Sequence, residues 1–97
     1  MKRHAVLLPP DLAKKVRHLP PALKKKIREA LEEIGLQPQS GKSLKNLLEG
    51  LRSYRVSDYR IVYEVISSKA QVNIVDIEIR KTVYQKLEKA AKDKTSV

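Results

Sequence analysis

Two polar residues, Ser57 and Asp58, divide a stretch rich in Tyr, Val and Ile into Tyr54–Val56 and Tyr59–Ile66. A gap this short is a hairpin loop of minimum length, and it fixes the register of both strands. Antiparallel pairing counts outward evenly from the loop, placing Val56 opposite Tyr59, Arg55 opposite Arg60 and Tyr54 opposite Ile61. A third β-rich stretch, Val72–Ile79, follows Ser67-Ser68-Lys69-Ala70 and extends the hairpin to a three-stranded antiparallel meander.

The rest of the chain is read around that sheet. Ala5 to Leu8 is a short apolar run closed by Pro9 and Pro10, as a first strand would be. From Asp11 the period becomes helical, with Leu12, Val16 and Leu19 on one face. Pro20-Pro21 ends that helix and starts a second, because proline fits a first helical turn but not a helix interior. The second helix carries the stripe Leu23, Ile27, Ala30, Leu31 and Ile34, and Gly35 is expected as its C-cap. Gln37 to Lys42 reads as a loop, and Leu44, Leu47 and Leu48 as one helical turn before Gly50. A closing helix beginning near Lys81 carries Val83, Leu87, Ala90 and Ala91. The expected fold is a single α+β domain over residues 1–97: an antiparallel sheet with two N-terminal helices packed on one face, and a C-terminal helix.

Charge narrows the function. The chain has 97 residues with 21 Lys and Arg against 11 Asp and Glu, a formal net charge of +10. Its field favours encounters with polyanions without choosing among them. The absence of cysteine removes disulfides and thiolate metal sites, and His4 and His18 lie too far apart in sequence to suggest a metal site or a catalytic role. No metal or other cofactor is expected. No apolar run approaches a signal-peptide core or a membrane span, so a cytoplasmic location without membrane partners is expected. Gly-rich phosphate loops, paired carboxylates and Ser-His-Asp arrangements are missing, which leaves cationic chemistry.

Two arginines side by side on one sheet face repel, at a cost of about 0.2–1 kcal/mol. Either a bound anion relieves this, or the guanidinium groups splay into solvent or meet carboxylates such as Glu64. The lysines opening the second helix, Lys24 and Lys25 among them, run against the helix dipole. They are read as a solvated face, with phosphate contact as the alternative. Tyr54, Tyr59 and Tyr63 are read as core or sheet cover. Arg80 closes the last strand, with Lys81 beside it and Tyr84 one step from Val83.

The run from Gly50 to Glu64, GLRSYRVSDYRIVYE, with the later IRKTVY of residues 79–84, resembles the central hairpin and late arginine segment of the RelE/ParE toxin superfamily. The layout of elements is similar over nearly the whole chain. The resemblance implies the toxin of a type II toxin-antitoxin system, a ribosome-dependent, metal-independent endoribonuclease cutting mRNA in the A site. Its partners would be a cognate antitoxin, the ribosome and mRNA, with a toxin-antitoxin heterotetramer as one assembly open to it. Arg55, Arg60 and Arg80 would stabilise the phosphorane, and Tyr84 would orient or stack on the nucleotide or assist proton transfer. Lys42, Lys45, Arg52, Lys24 and Lys25 are the expected RNA-binding cations. Several active family members place lysine or histidine near the hairpin or beside the late arginine, where this chain has Arg55, Ser57 and Ile79. Arginine is a poor general base, which leaves Lys81 or Lys45 for that role. The same fold also admits a ParE-like gyrase inhibitor without ribonuclease activity, or a catalytically weak module that binds antitoxin or RNA.

Overall fold

The computed structural model describes residues 3–79 and 87–92. Five strands form one sheet in the order β1-β5-β4-β3-β2: β1 (Ala5–Leu7), β2 (Lys42–Ser43), β3 (Leu51–Val56), β4 (Tyr59–Ile66) and β5 (Gln71–Ile79). The expected meander is β3-β4-β5. The two-residue strand β2 adds an antiparallel edge on β3, and β1 pairs in parallel with β5, Val6 against Val72, so the sheet is mixed.

Helices α1 (Pro10–Arg17) and α2 (Pro21–Leu36) each begin with a proline in the first turn, where its missing N–H costs nothing. Their apolar stripes supply Leu12, Val16, Ile27, Ala30 and Ile34 to the core. These meet the alternate sheet residues Val56, Ile61, Tyr63, Val72 and Ile77, which share one face by the two-residue period of a strand. Residues 87–92 form a third helix, α3. A groove separates it from the sheet, lined by Leu87, Ala90 and Ala91 on one side and by Leu47, Leu48, Leu51 and Val75 on the other. Leu51 lies on the sheet face that the core does not use. The start of the closing helix, with Val83, lies outside the described residues. Among those described, no helix is long and apolar enough to cross a membrane.

Besides the parallel β1 and the strand β2 that begins at Lys42 where a loop was expected, two further details depart from the sequence reading. The expected C-cap, Gly35, lies inside α2, which runs one residue further, with Gln37 at the cap. Glycine suits the close approach there: an added Cβ would stand 3.1 Å from Val6 Cγ2 and 3.3 Å from the His4 carbonyl oxygen, so those neighbours would have to give by a few tenths of an ångström. The Gly35 carbonyl accepts the His4 N–H at 2.9 Å, tying α2 to the chain entering β1. The second detail is a bulge. Between Val62 and Tyr63 the partner on β5 jumps from Asp76 to Ile74, leaving Val75 as the extra residue.

Candidate active site

The hairpin has the register that its loop length dictates. Val56 faces Tyr59, Arg55 faces Arg60 and Tyr54 faces Ile61, with Ser57 turning the chain at φ 55°. Because Ile61 and Val56 point into the core, alternation puts Arg55 and Arg60 on the opposite face. Glu78 on β5 continues the row opposite Arg60.

The charges along this row do not cancel. Glu78 is ion-paired with Lys15 of α1, at the part of β5 that extends past its pairing with β1. The carboxylate singled out from sequence, Glu64, instead stands opposite Asn73 and accepts from its Nδ2 at 3.4 Å. Arg55, Arg60 and Lys15 therefore gather around Glu78, and Asp76, two residues before it on β5, is a second carboxylate on the same face. Arg55 is exposed, and its Nε donates to the Ser57 carbonyl at 3.3 Å, which steadies the side chain over the turn. Arg60 is half-buried, and its Nε is buried without a hydrogen-bond partner among the described residues. Leaving a donor of a charged group so placed costs about 1–3 kcal/mol or more. An oxyanion against this guanidinium would recover that cost and relieve the repulsion from Arg55.

The other expected cations divide by face. Lys42 on β2 pairs with Ser53, two residues from Arg55 on β3, so it lies on the same face as the arginine pair, exposed. Lys45 is also exposed and lines a shallow depression with Ser43, Leu44, Asn46 and Glu49. Arg52 alternates to the core-facing side, where its Nη1 donates to the carbonyls of Gly41 at 2.7 Å and Gln39 at 3.3 Å. Lys24 and Lys25 stand at the start of α2, across the sheet from the arginines. Arg80, Lys81 and Tyr84 lie outside the described residues; Ile79, which precedes Arg80 in the chain, pairs with Tyr59 at the hairpin end of β4.

Tyr63, read from sequence as core or sheet cover, has a polar task as well. Tyr63 is fully buried, yet its hydroxyl donates to the Pro38 carbonyl and accepts from the Gly41 N–H, both at 2.8 Å. Burial pushes its pKa above the ordinary 10.0, against the lowering effects of the Gly41 hydrogen bond and the Arg52 charge. Strand alternation marks Tyr63 as inward-facing but carries no signal that the ring end meets a loop.

Comparison with known proteins bears on this arrangement. Residues 10–84 match the family described as the ParE toxin of the type II toxin-antitoxin system parDE. Over 45 residues the chain is 44% identical to Toxin RelE of Mycobacterium tuberculosis, a match spanning 46% of each chain and so about half the length of that relative. The fold is similar to that in the toxin-antitoxin complex RelBE2 of M. tuberculosis, with a TM-score of 0.71 and 25% identity over 80% of this chain and 99% of that one. A mutant of the Escherichia coli toxin RelE in the free state is similar at a TM-score of 0.70 and 18% identity, covering 96% and 98% of the two chains. The archaeal RelE-RelB complex of Pyrococcus horikoshii gives 0.68 and 20%, covering 84% and 99%. These last two likenesses speak to the fold.

Proposed function

Since the chain belongs to the RelE/ParE toxin superfamily, we propose that it is the toxin of a type II toxin-antitoxin pair and that it cleaves mRNA on the ribosome without a metal. The observation that carries this reading is the arginine pair: Arg55 directly opposite Arg60 on the sheet face away from α1 and α2, with Arg60 Nε buried and without a hydrogen-bond partner among the described residues. A phosphodiester passing into a phosphorane adds negative charge to its equatorial oxygens, where fixed guanidinium donors are most effective.

In the proposed reaction the ribose 2′-oxygen attacks the adjacent phosphorus and the bond from phosphorus to the 5′-oxygen breaks. The products are a cyclic phosphate and a 5′-hydroxyl. The 2′-hydroxyl proton goes to an acceptor, and a donor protonates the leaving oxygen. Arg55, Arg60 and Arg80 hold the phosphorane, and Tyr84 orients the departing nucleotide. The acceptor is a lysine, Lys81 or Lys45, because arginine stays protonated. The cognate antitoxin is the partner that silences this surface.

The test is reporter mRNA added to a reconstituted translation reaction with purified protein. Cleavage is expected only when ribosomes are present, and Arg60→Ala should reduce its rate about 10²–10³-fold, the cost of removing a donor to a developing oxyanion, without lowering the melting temperature. The description of the matching family as ParE supports a second reading, inhibition of DNA gyrase. Intact mRNA together with blocked gyrase supercoiling would establish that reading and overturn the first.

A further inference from the structure

The loop between α2 and β2 is pinned from below by two side chains of the sheet. Tyr63 on β4 bridges the Pro38 carbonyl and the Gly41 N–H through its hydroxyl, and Arg52 on β3 grips the carbonyls of Gly41 and Gln39. The contact is tight enough that any side chain at residue 41 would have to displace the ring or the loop: an added Cβ would lie 2.8 Å from Tyr63 Cε1 and 2.9 Å from Cζ. The next residue is Lys42.

Strand β2 has two residues and lies at the sheet edge, so its own pairing to β3 is a weak anchor. The pinned loop supplies the rest. It delivers Lys42 opposite Ser53, on the face of Arg55 and Arg60 and two residues away from Arg55 along the sheet. With neighbouring strands about 4.8 Å apart and about 3.4 Å of rise per residue, the Cα atoms of Lys42 and Arg55 stand about 8 Å apart, within reach of one phosphate group for two long side chains.

We propose that Tyr63 and Arg52 are positioning residues that hold Lys42 as a further phosphate-binding cation beside the Arg55–Arg60 pair, an assignment that rests on the RNA-cleaving reading of that pair. Tyr63 touches no RNA. It acts through the loop, and Lys42 contributes to binding the scissile region rather than to proton transfer.

The experiment measures cleavage of a defined mRNA against the concentration of mRNA-programmed ribosomes for the wild type, Lys42→Ala, Lys42→Arg, Tyr63→Phe and the Lys42→Ala/Tyr63→Phe double variant. Lys42→Ala should raise KM about tenfold, the scale of one charge-assisted contact, with kcat little changed, and Lys42→Arg should restore most of the loss. Tyr63→Phe should raise KM similarly, and the double variant should be no worse than Lys42→Ala alone, because both remove the same interaction. A tyrosine with a merely structural role would leave KM unmoved or add its effect to that of Lys42→Ala; either result overturns the proposal. Arg52→Ala, at a half-exposed position, carries the same non-additivity prediction if Tyr63→Phe does not fold. Arg60→Ala is the control: if it cleaved normally, the parent reading would fail and this proposal with it. Loss of cleavage there with additive effects at Tyr63 would overturn the positioning role alone.

Discussion

At the scale of single residues, the decisive groups are those whose partners come from distant parts of the chain. Tyr63 and Gly41 interlock, so Gly41→Ala must push the ring or the loop aside, an overpacking that costs about 1–3 kcal/mol. A lowered urea midpoint with unchanged slope is the expected measurement. The Tyr63 hydroxyl also has a pH signature. Its pKa is raised in the folded chain, so above pH 10 the unfolded phenol releases a proton that the folded one keeps. Its contribution to stability is therefore complete below pH 10 and lost as pH rises through the folded pKa. Urea midpoints measured from pH 8 to pH 12 should fall less steeply in Tyr63→Phe than in the wild type. Arg55 and Arg60 show the converse economy: neither is needed for the core, and each leaves a charge only partly compensated on the face where an anion would bind.

At the scale of elements, the parts legible in the sequence were those fixed locally. A two-residue loop leaves one way to count the hairpin, and paired prolines mark where α1 and α2 begin. What escaped the sequence depends on tertiary approach. Gly35 satisfies the statistics of a helix end, but it is glycine because α2 lies against β1. An exposed mid-helix Gly→Ala change gains about 0.5–1 kcal/mol, whereas Gly35→Ala is expected to lose about 1 kcal/mol, since the His4 carbonyl and Val6 must yield. A fall in melting temperature together with faster amide exchange in Ala5–Leu7 would show it. The β5 bulge, the parallel seating of β1 and the pairing of Glu78 with Lys15 were likewise hidden, because no local pattern encodes which strands become neighbours. Within the candidate site the Arg55–Arg60 pair was legible from counting, and the polar role of Tyr63 was not.

For the whole molecule, the proposed function divides a net charge of +10 between two separable jobs. On that reading Lys24 and Lys25, across the sheet from the arginines, add to the field that speeds encounter, while Arg55, Arg60 and Lys42 on the other face touch phosphate. Each true phosphate contact on single-stranded RNA contributes about −0.7 to the slope of log affinity against log salt. Arg55→Ala should therefore flatten the slope by about 0.7, and Lys25→Ala should leave the slope nearly unchanged while slowing association at low salt. The order of the strands adds a matter of timing. Sixty-six residues separate Val6 from the Val72 it lies beside, so β1 has no seat until β5 exists. At roughly 5–20 residues per second, synthesis leaves the first strand waiting about 3–13 s for its neighbour. A nascent copy therefore cannot finish its sheet, or bring Arg60 and Glu78 into one row, until the far end of the chain has been made. If that face cleaves mRNA on the ribosome as proposed, the topology delays its assembly on the very machine that is building it.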